Sequence, residues 1–283
     1  MVKNHAVTSS PTFPTPLSLS PSRIGAFESC PLKFRFVNIE KLPDPPTIEK
    51  YKGTIVHRIL ELLLKEDSAE RTSEMARHLF DTVQYTAPND EDFSYLELTS
   101  DANHPFWVDV RKLVDTYFSM EDPTVVKPEA MELRVEHSMG DFKLTGIIDR
   151  LERDEDGNFV IVDYKTGKSP APNFVEDKMK AMMLYAWLCK QEKGSSPAAL
   201  RLLFLKDGKA VETRPLQNKV DFQLQRVKAI YGAIKRSCET GHFGTKKGPL
   251  CNYCDYQRWC PEFGGDPARA AQEAPVVIGV KPK

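Results

Sequence analysis

Two carboxylates and one amine fall close together in this sequence. "GIIDR" carries Asp149, and "VDYKTG" carries Asp163 and Lys165, with the turn-forming pair Asp156-Gly157 between them. Side chains alternate faces along a strand, so Asp163 and Lys165 share one face. A turn centred on Asp156 sets Asp149 directly across from Asp163. A two-residue turn at Asp156-Gly157 shifts that pairing by one and needs a bulge to restore it. Carboxylate oxygens gathered in this way suit a hard divalent cation, Mg2+ or Mn2+. Such an ion activates water and offsets charge on a phosphodiester, and a neighbouring ammonium orients the water or balances oxygen charge. A plain hairpin with solvated charges is the alternative. Against it, Asp163 interrupts the apolar run Phe159–Val162, where an unpartnered carboxylate costs stability.

His57 lies in "GTIVHRILE", on an apolar helical stripe. A lone histidine there is more often packing than chemistry, but a neutral imidazole is a competent third metal ligand. A second cluster is sulfur-based. Cys251, Cys254 and Cys260 have the spacing C-x2-C-x5-C in "LCNYCDYQRWCPEF". Three thiolates so close suggest a soft-metal site that lacks one ligand. The chain reads as cytoplasmic, where a disulfide framework is not expected. Cys189, in "YAWLCK", is expected in the core, and Cys238 has no evident partner.

These groups need elements to hold them. Ser20 or Ser22 can cap a short helix with Pro21 in its first turn, which leaves Cys30 at the helix end. Residues 51–66 form an apolar-striped helix, and residues 69–121 are mostly helical with a loop near 87–104. Residues 129–139 alternate as a strand, and 142–167 read as a β-hairpin. Helices follow at 174–192 and 217–240, with a strand in "ALRLLFLKDG" between them. The order is that of an α/β protein, a mixed sheet flanked by helices. Residues 1–18, rich in Ser, Thr and Pro, are expected to be disordered, and 264–283 to form a flexible tail.

Composition bounds the function. The 283 residues suffice for one large domain. Hydrophobic residues at 41% and charged residues at 28% describe an ordinary globular protein. No apolar run is long enough to span a membrane, and the N-terminus lacks the apolar core of a secretory signal. A net charge of −1 argues against a protein that coats nucleic acid by a global field, so any such contact must be local. Candidate phosphate contacts are Arg23, Lys33, Arg35, Arg150, Lys168, Lys246 and Lys247. Phe34, Tyr253, Tyr256 and Trp259 are candidates to stack on unpaired bases, although Trp259 reads better as cover for the cysteines.

Taken in order, "GTIVHRILE", "GIIDRL", "VDYKTG" and the cysteine set resemble the motifs of the RecB-like PD-(D/E)XK nucleases. The chain is similar to the stand-alone RecB-family exonucleases and to the CRISPR-associated adaptation nucleases, from about Leu17 to Pro261, with 66–128 contributing little. The resemblance implies a restriction-endonuclease-like fold with a single nuclease domain over 19–263. Within it, 66–128 is a helical insertion and 242–263 a C-terminal cysteine knuckle. It implies that His57, Asp149 and Asp163, helped by the Tyr164 carbonyl, bind Mg2+ or Mn2+, and that Lys165 is the catalytic lysine. Glu132 resembles the acidic residue on the preceding strand, with Glu136 as competitor. Cys30 would join the C-terminal trio around a 4Fe–4S cluster, with Zn2+ as the alternative. Family members carry a glutamine four residues before the tyrosine of "LYA". Here Ala181 stands before Tyr185, which puts DNA positioning by Tyr185 in question and leaves Lys178 or Lys180 to share it. The implied activity is metal-dependent DNA hydrolysis from an end, in recombination, repair or end processing. With no G-x-x-x-x-G-K-[ST] motif, unwinding would need a helicase or recombination partner. The rival readings are a non-catalytic DNA-binding protein and a zinc-knuckle scaffold.

Overall fold

The structure is a computed structural model and describes residues 12–279. The chain divides into two compact units. One comprises 46–137 and 145–223; the other comprises 12–45, 138–144 and 224–279. Six strands are described: β1 (Ser18–Leu19), β2 (Pro128–Ser138), β3 (Lys143–Arg153), β4 (Phe159–Lys165), β5 (Ala199–Phe204) and β6 (Lys209–Thr213). Their order is β1-β3-β4-β5-β6, with β2 also paired to β3. The β1–β3 and β4–β5 pairs are parallel, and the β3–β4 and β5–β6 pairs antiparallel. This is the mixed α/β sheet that the sequence implies. The two shortest strands, β1 and β6, carry too few residues to show an alternating pattern in the sequence.

In the larger unit, helices α3 (Ile48–Lys65), α4 (Ser73–Thr86), α5 (Glu91–Tyr95) and α6 (Pro105–Met120) precede the strands, and α7 (Val175–Lys193) follows β4. Thr47 caps α3 by accepting the Lys50 N–H, and Thr72 caps α4 in the same way. One apolar core joins Ile55, Ile59 and Leu63 of α3, Leu79, Phe80 and Val83 of α4, and Trp107, Val110 and Tyr117 of α6. They pack with Val160, Val162 and Tyr164 of β4. Helices α4 and α6, from the stretch that carries few motifs, therefore complete the core behind β4. The even-numbered residues of β4 enter this core. Strand alternation turns the odd-numbered ones, among them Asp163 and Lys165, to the other face.

The hairpin answers the question of register. Arg150 pairs with Val162, Leu151 with Ile161 and Arg153 with Phe159. The turn is thus centred on Asp156, and the same register extended by one residue sets Asp149 opposite Asp163. Gly157 takes φ +82, a left-handed conformation that glycine adopts without steric cost. Asp154 braces the turn by accepting the Asn158 N–H at 2.7 Å.

The smaller unit holds β1, α1 (Pro21–Ser29), α2 (Pro31–Phe34), the greater part of α8 (Gln217–Thr240) and α9 (Ala270–Val277). Ser20 caps α1 by accepting the Arg23 N–H at 3.3 Å, and Cys30 terminates that helix. Both expected tails need correction. Residues 1–11 and 280–283 lie outside the described residues. Residues 12–18, however, are tied down: the Phe13 N–H donates to the Cys238 carbonyl at 2.9 Å, and the Phe13 ring meets Phe243 edge-on. The segment after 264 forms α9, which buries Ala270 and Ala274 and receives the Trp259 Nε1–H on Glu273 at 2.8 Å.

Candidate active site

Three elements of the larger unit bring acidic and imidazole groups together: α3, β2 and β3. His57 Nδ1 lies 3.5 Å from Asp149 Oδ2 and 3.9 Å from Glu132 Oε1. Ligand atoms of these three residues all fall within 4.8 Å of one another, the spacing of a metal-binding group. The other imidazole nitrogen, Nε2, is 3.0 Å from the Tyr164 carbonyl oxygen. A carbonyl only accepts, so Nε2 carries the proton and Nδ1 presents its lone pair toward the two carboxylates. This is the arrangement by which a backbone acceptor fixes a metal-binding tautomer. The Tyr164 carbonyl thus meets the imidazole.

Asp163 and Lys165 form the other half. Lys165 Nζ approaches Asp163 Oδ2 to 2.5 Å. That oxygen is buried, and the approach falls outside hydrogen-bonding direction, so Oδ2 has no hydrogen-bond partner. Asp163 is 7% exposed, whereas the Lys165 side chain is 42% exposed.

Glu132 arrives by an irregularity that sequence reading could not see. Its φ is +49, in the left-handed region that costs a non-glycine residue energy. The exposed positions of β2 fall on 129, then on 134, 136 and 138, so alternation changes phase across this point. The phase change separates the two glutamates: Glu132 joins the cluster, and Glu136 lies on the exposed face.

The cluster is electrostatically tense. Burial, then the charge of Asp163, pushes the Asp149 carboxyl up to about 7. Burial and Asp149 raise Glu132. Burial lowers His57 despite the nearby carboxylates, which favours the neutral imidazole. Tyr185 of α7 is mostly buried, and its hydroxyl is pushed up by burial and then by Asp163, Asp149 and Glu132. Its ring packs so closely on β3 that a Cβ at Gly146 would lie 2.7 Å from Tyr185 Cε1. Gly146 is the glycine of "GIIDR"; no pattern in the sequence links it to Tyr185.

The model of the PD-(D/E)XK nuclease superfamily matches residues 18–261. The chain belongs to this superfamily. Relatives of this PD-(D/E)XK protein include a subunit of the ATP-dependent helicase/deoxyribonuclease of Streptococcus mutans, 27% identical over 163 residues, which cover 54% of the chain. The protein of the same name from Streptococcus agalactiae is 26% identical over 160 residues, or 53% of the chain. The match spans only 14% of the length of each of these relatives. A solved structure from Eubacterium rectale, provisionally called an exonuclease, shares the fold. Its TM-score is 0.53 at 11% identity, over 86% of this chain and 88% of that one.

In the smaller unit, Cys30, Cys251, Cys254 and Cys260 all line one cavity of about 290 Å3, together with Lys33, Lys246 and Lys247. None of the four is in a disulfide. Burial raises the Cys254 and Cys260 thiols, and the proximity of Cys30 adds to both. Cys189 and Cys238 are buried elsewhere.

Several expected nucleic-acid contacts are corrected. Arg150 is 0% exposed. Arg35 is buried and donates to Glu40 through Nε and Nη2 at 3.2 Å. Neither can meet a phosphate. Phe34, Tyr256 and Trp259 are buried too, and Tyr256 stacks on Phe36, so these rings are closed to unpaired bases. Tyr253 is 84% exposed. Lys168, Lys246 and Lys247 are exposed, although Lys246 Nζ donates to the Glu28 carbonyl at 2.9 Å. Arg23 bonds Ser18, and Lys33 lies 3.7 Å from Asp44. Among the described residues, no helix is long and apolar enough to cross a membrane.

Proposed function

We propose that this chain is a metal-dependent deoxyribonuclease acting as an exonuclease, with Mg2+ or Mn2+ held by His57, Glu132, Asp149 and Asp163. The observation that carries the reading is the convergence of His57 Nδ1, Glu132 and Asp149 beside the Asp163–Lys165 pair. The donor set fits a hard cation: one neutral imidazole and carboxylates whose mutual repulsion and burial a divalent ion would relieve. When bound, the metal supplies Lewis acidity toward a phosphodiester oxygen and toward the attacking water. Lys165 offers an exposed ammonium to orient that water or balance charge on the phosphoryl oxygens, and Asp163 holds it in place. Tyr185 presents a hydroxyl beside the same carboxylates and can donate to a substrate phosphate. Deoxyribonucleic acid as substrate, and a helicase partner in recombination, repair or end processing, are inferred from the names of the relatives.

The four-cysteine cavity fits a 4Fe–4S cluster by its donor chemistry: four free thiols line one pocket, and thiolate sulfur is the ligand such clusters take. Such a cluster on Cys30, Cys251, Cys254 and Cys260 would join the start of the chain to its last turns. Lys33, Lys168, Lys246 and Lys247 remain candidates for phosphate contacts.

Digestion of 5′- and 3′-labelled single- and double-stranded DNA tests the reading. Wild type is expected to cut with Mg2+ or Mn2+ and to stop with chelator. Lys165→Ala is expected to lose activity. Equal cutting by the two proteins would remove the assignment. Iron and sulfide analysis of the protein as purified separates the cluster from zinc.

A further inference from the structure

Tyr164 stands between Asp163 and Lys165 in sequence, yet its side chain points into the core behind them. Its backbone serves the site on both sides. The Tyr164 N–H donates to Asp149 Oδ2 at 2.9 Å, and its carbonyl accepts from His57 Nε2 at 3.0 Å. Any displacement of this one peptide segment therefore moves two of the proposed metal ligands together.

The Tyr164 hydroxyl is held from behind. It accepts from Arg150 Nη1 at 2.7 Å. Arg150 is fully buried; its two Nη groups carry its hydrogen bonds, while Nε makes an ion-pair contact without a hydrogen bond. Nη2 donates to Glu121 Oε2 at 3.0 Å, Nη1 also meets the other Glu121 oxygen, and Nε lies 2.9 Å from Glu152 Oε2. Tyr117 Oη lies 3.4 Å from Nη1. Glu121 is the C-cap of α6, and Tyr117 lies one turn before it. Directional contacts thus run from α6 through Arg150 and Tyr164 to Asp149 and His57.

A buried ion pair is weak support for stability, because well-packed apolar residues often serve as well. A planar guanidinium with fixed donor directions does something apolar packing does not: it sets a position and an orientation. We propose that Arg150 is a positioning residue for the metal site. Through the Tyr164 hydroxyl it fixes the backbone that aims Asp149 and holds the His57 tautomer, with Glu121 of α6 as its counter-charge. This inference rests on the metal-site reading above. It gives the helical stretch before β2 a part in the chemistry.

Tyr164→Phe tests it with the loss of one oxygen, and it leaves Arg150 its two carboxylates. Mn2+ binding to the full chain is read by calorimetry, and cleavage is read against Mn2+ concentration. The expected result is a Kd for Mn2+ raised about 10- to 100-fold, with most of kcat recovered at saturating Mn2+. Glu121→Gln is expected to shift Kd in the same direction by less. A lowered melting temperature with Mn2+ affinity within about twofold of wild type would mean a purely structural role and would overturn the proposal. Should Glu121→Gln fail to fold, Tyr164→Phe decides alone. Nitrogen NMR of the His57 ring gives a readout that needs no metal: a single Nε2–H tautomer in wild type, mixed tautomers in Tyr164→Phe. If wild type binds no Mn2+, the metal reading fails by itself, and an unchanged His57 spectrum in the variant then rejects the positioning role as well.

Discussion

Asp149 reaches across the hairpin to Tyr164: its Oδ2 accepts the Tyr164 N–H at 2.9 Å and lies 3.5 Å from His57 Nδ1. One oxygen is thus fixed by a backbone donor and aimed at the imidazole. Its carboxyl is pushed up to about 7, by burial first and then by the charge of Asp163. A metal needs the ionised form, so binding must displace this proton. Affinity for Mg2+ or Mn2+ is expected to rise as pH passes through about 7, changing about tenfold per pH unit below it. Calorimetry in buffers of different ionisation enthalpy will show the proton released. A metal affinity that stays flat across this range would contradict the placement of the proton.

The same carboxyl has a consequence for the metal-free protein. Its folded value lies above the ordinary aspartate value, so the folded state holds a proton that the unfolded state has lost. The stabilisation is present below the unfolded value of about 4 and disappears as pH rises through about 7. Asp149→Asn removes the titration while keeping an oxygen that can accept the Tyr164 N–H. In chelator, wild type is expected to lose thermal stability between about pH 4 and pH 7, and the variant to lose less. The comparison is of melting temperatures across that range. Parallel losses in the two proteins would show that other groups set the slope.

Much of this arrangement is legible in the chain alone. Asp163 and Lys165 share a face because strands alternate, and the Asp156-Gly157 pair marks the turn. The apolar stripe over 51–66 gives a helix, but not the direction of His57. Other features are closed to sequence reasoning for physical reasons. The phase change at Glu132 depends on one backbone angle that no side chain announces. Arg150 looks like a surface cation, because only the fold shows Glu121 and Glu152 waiting for it. The close approach of Gly146 to Tyr185 joins residues far apart in the chain. Residues 12–18 look disordered by composition, and contacts made by Phe13 override that composition.

Glu132 combines a proposed ligand with a strained backbone. At φ +49 a glycine would relieve the conformation, whereas an alanine would not. Either substitution also removes a carboxylate whose neighbour Asp149 repels it. Glu132→Gly is therefore expected to be more stable than Glu132→Ala in chelator, by about 1 kcal/mol. Both are expected to lose Mn2+ affinity. Denaturant melts and Mn2+ titrations of the pair provide the check. A glycine variant less stable than the alanine variant would mean that this backbone is not strained.

The four cysteines make a separate claim on the smaller unit. Cys30 follows α1, and the other three lie beyond residue 250 in the chain. A cluster on all four would close a very long loop and stabilise mainly by restricting the unfolded chain. Cys30→Ala is expected to lose iron and visible absorbance. Limited proteolysis is then expected to release the segment after α8 before the rest of the chain is cut. Retained iron in Cys30→Ala would remove Cys30 from the ligand set.

Gly146 and Tyr185 give the last test, and it separates packing from chemistry. A Cβ at position 146 would meet Tyr185 Cε1 at 2.7 Å and Leu188 Cδ1 at 3.4 Å. The ring must move, and overpacking of this kind costs about 1–3 kcal/mol. Gly146→Ala is expected to be destabilised by that amount and to lose cleavage as Tyr185 leaves the carboxylates. In a Tyr185→Ala background the same glycine substitution has no ring to displace, so its cost in stability is expected to fall to near zero. Tyr185→Phe keeps the ring and removes only the hydroxyl. If that variant cleaves at the wild-type rate, the phenol makes no contact with substrate, and Tyr185 acts through packing alone. If it loses activity without losing stability, the hydroxyl beside Asp149 and Asp163 belongs to the chemistry.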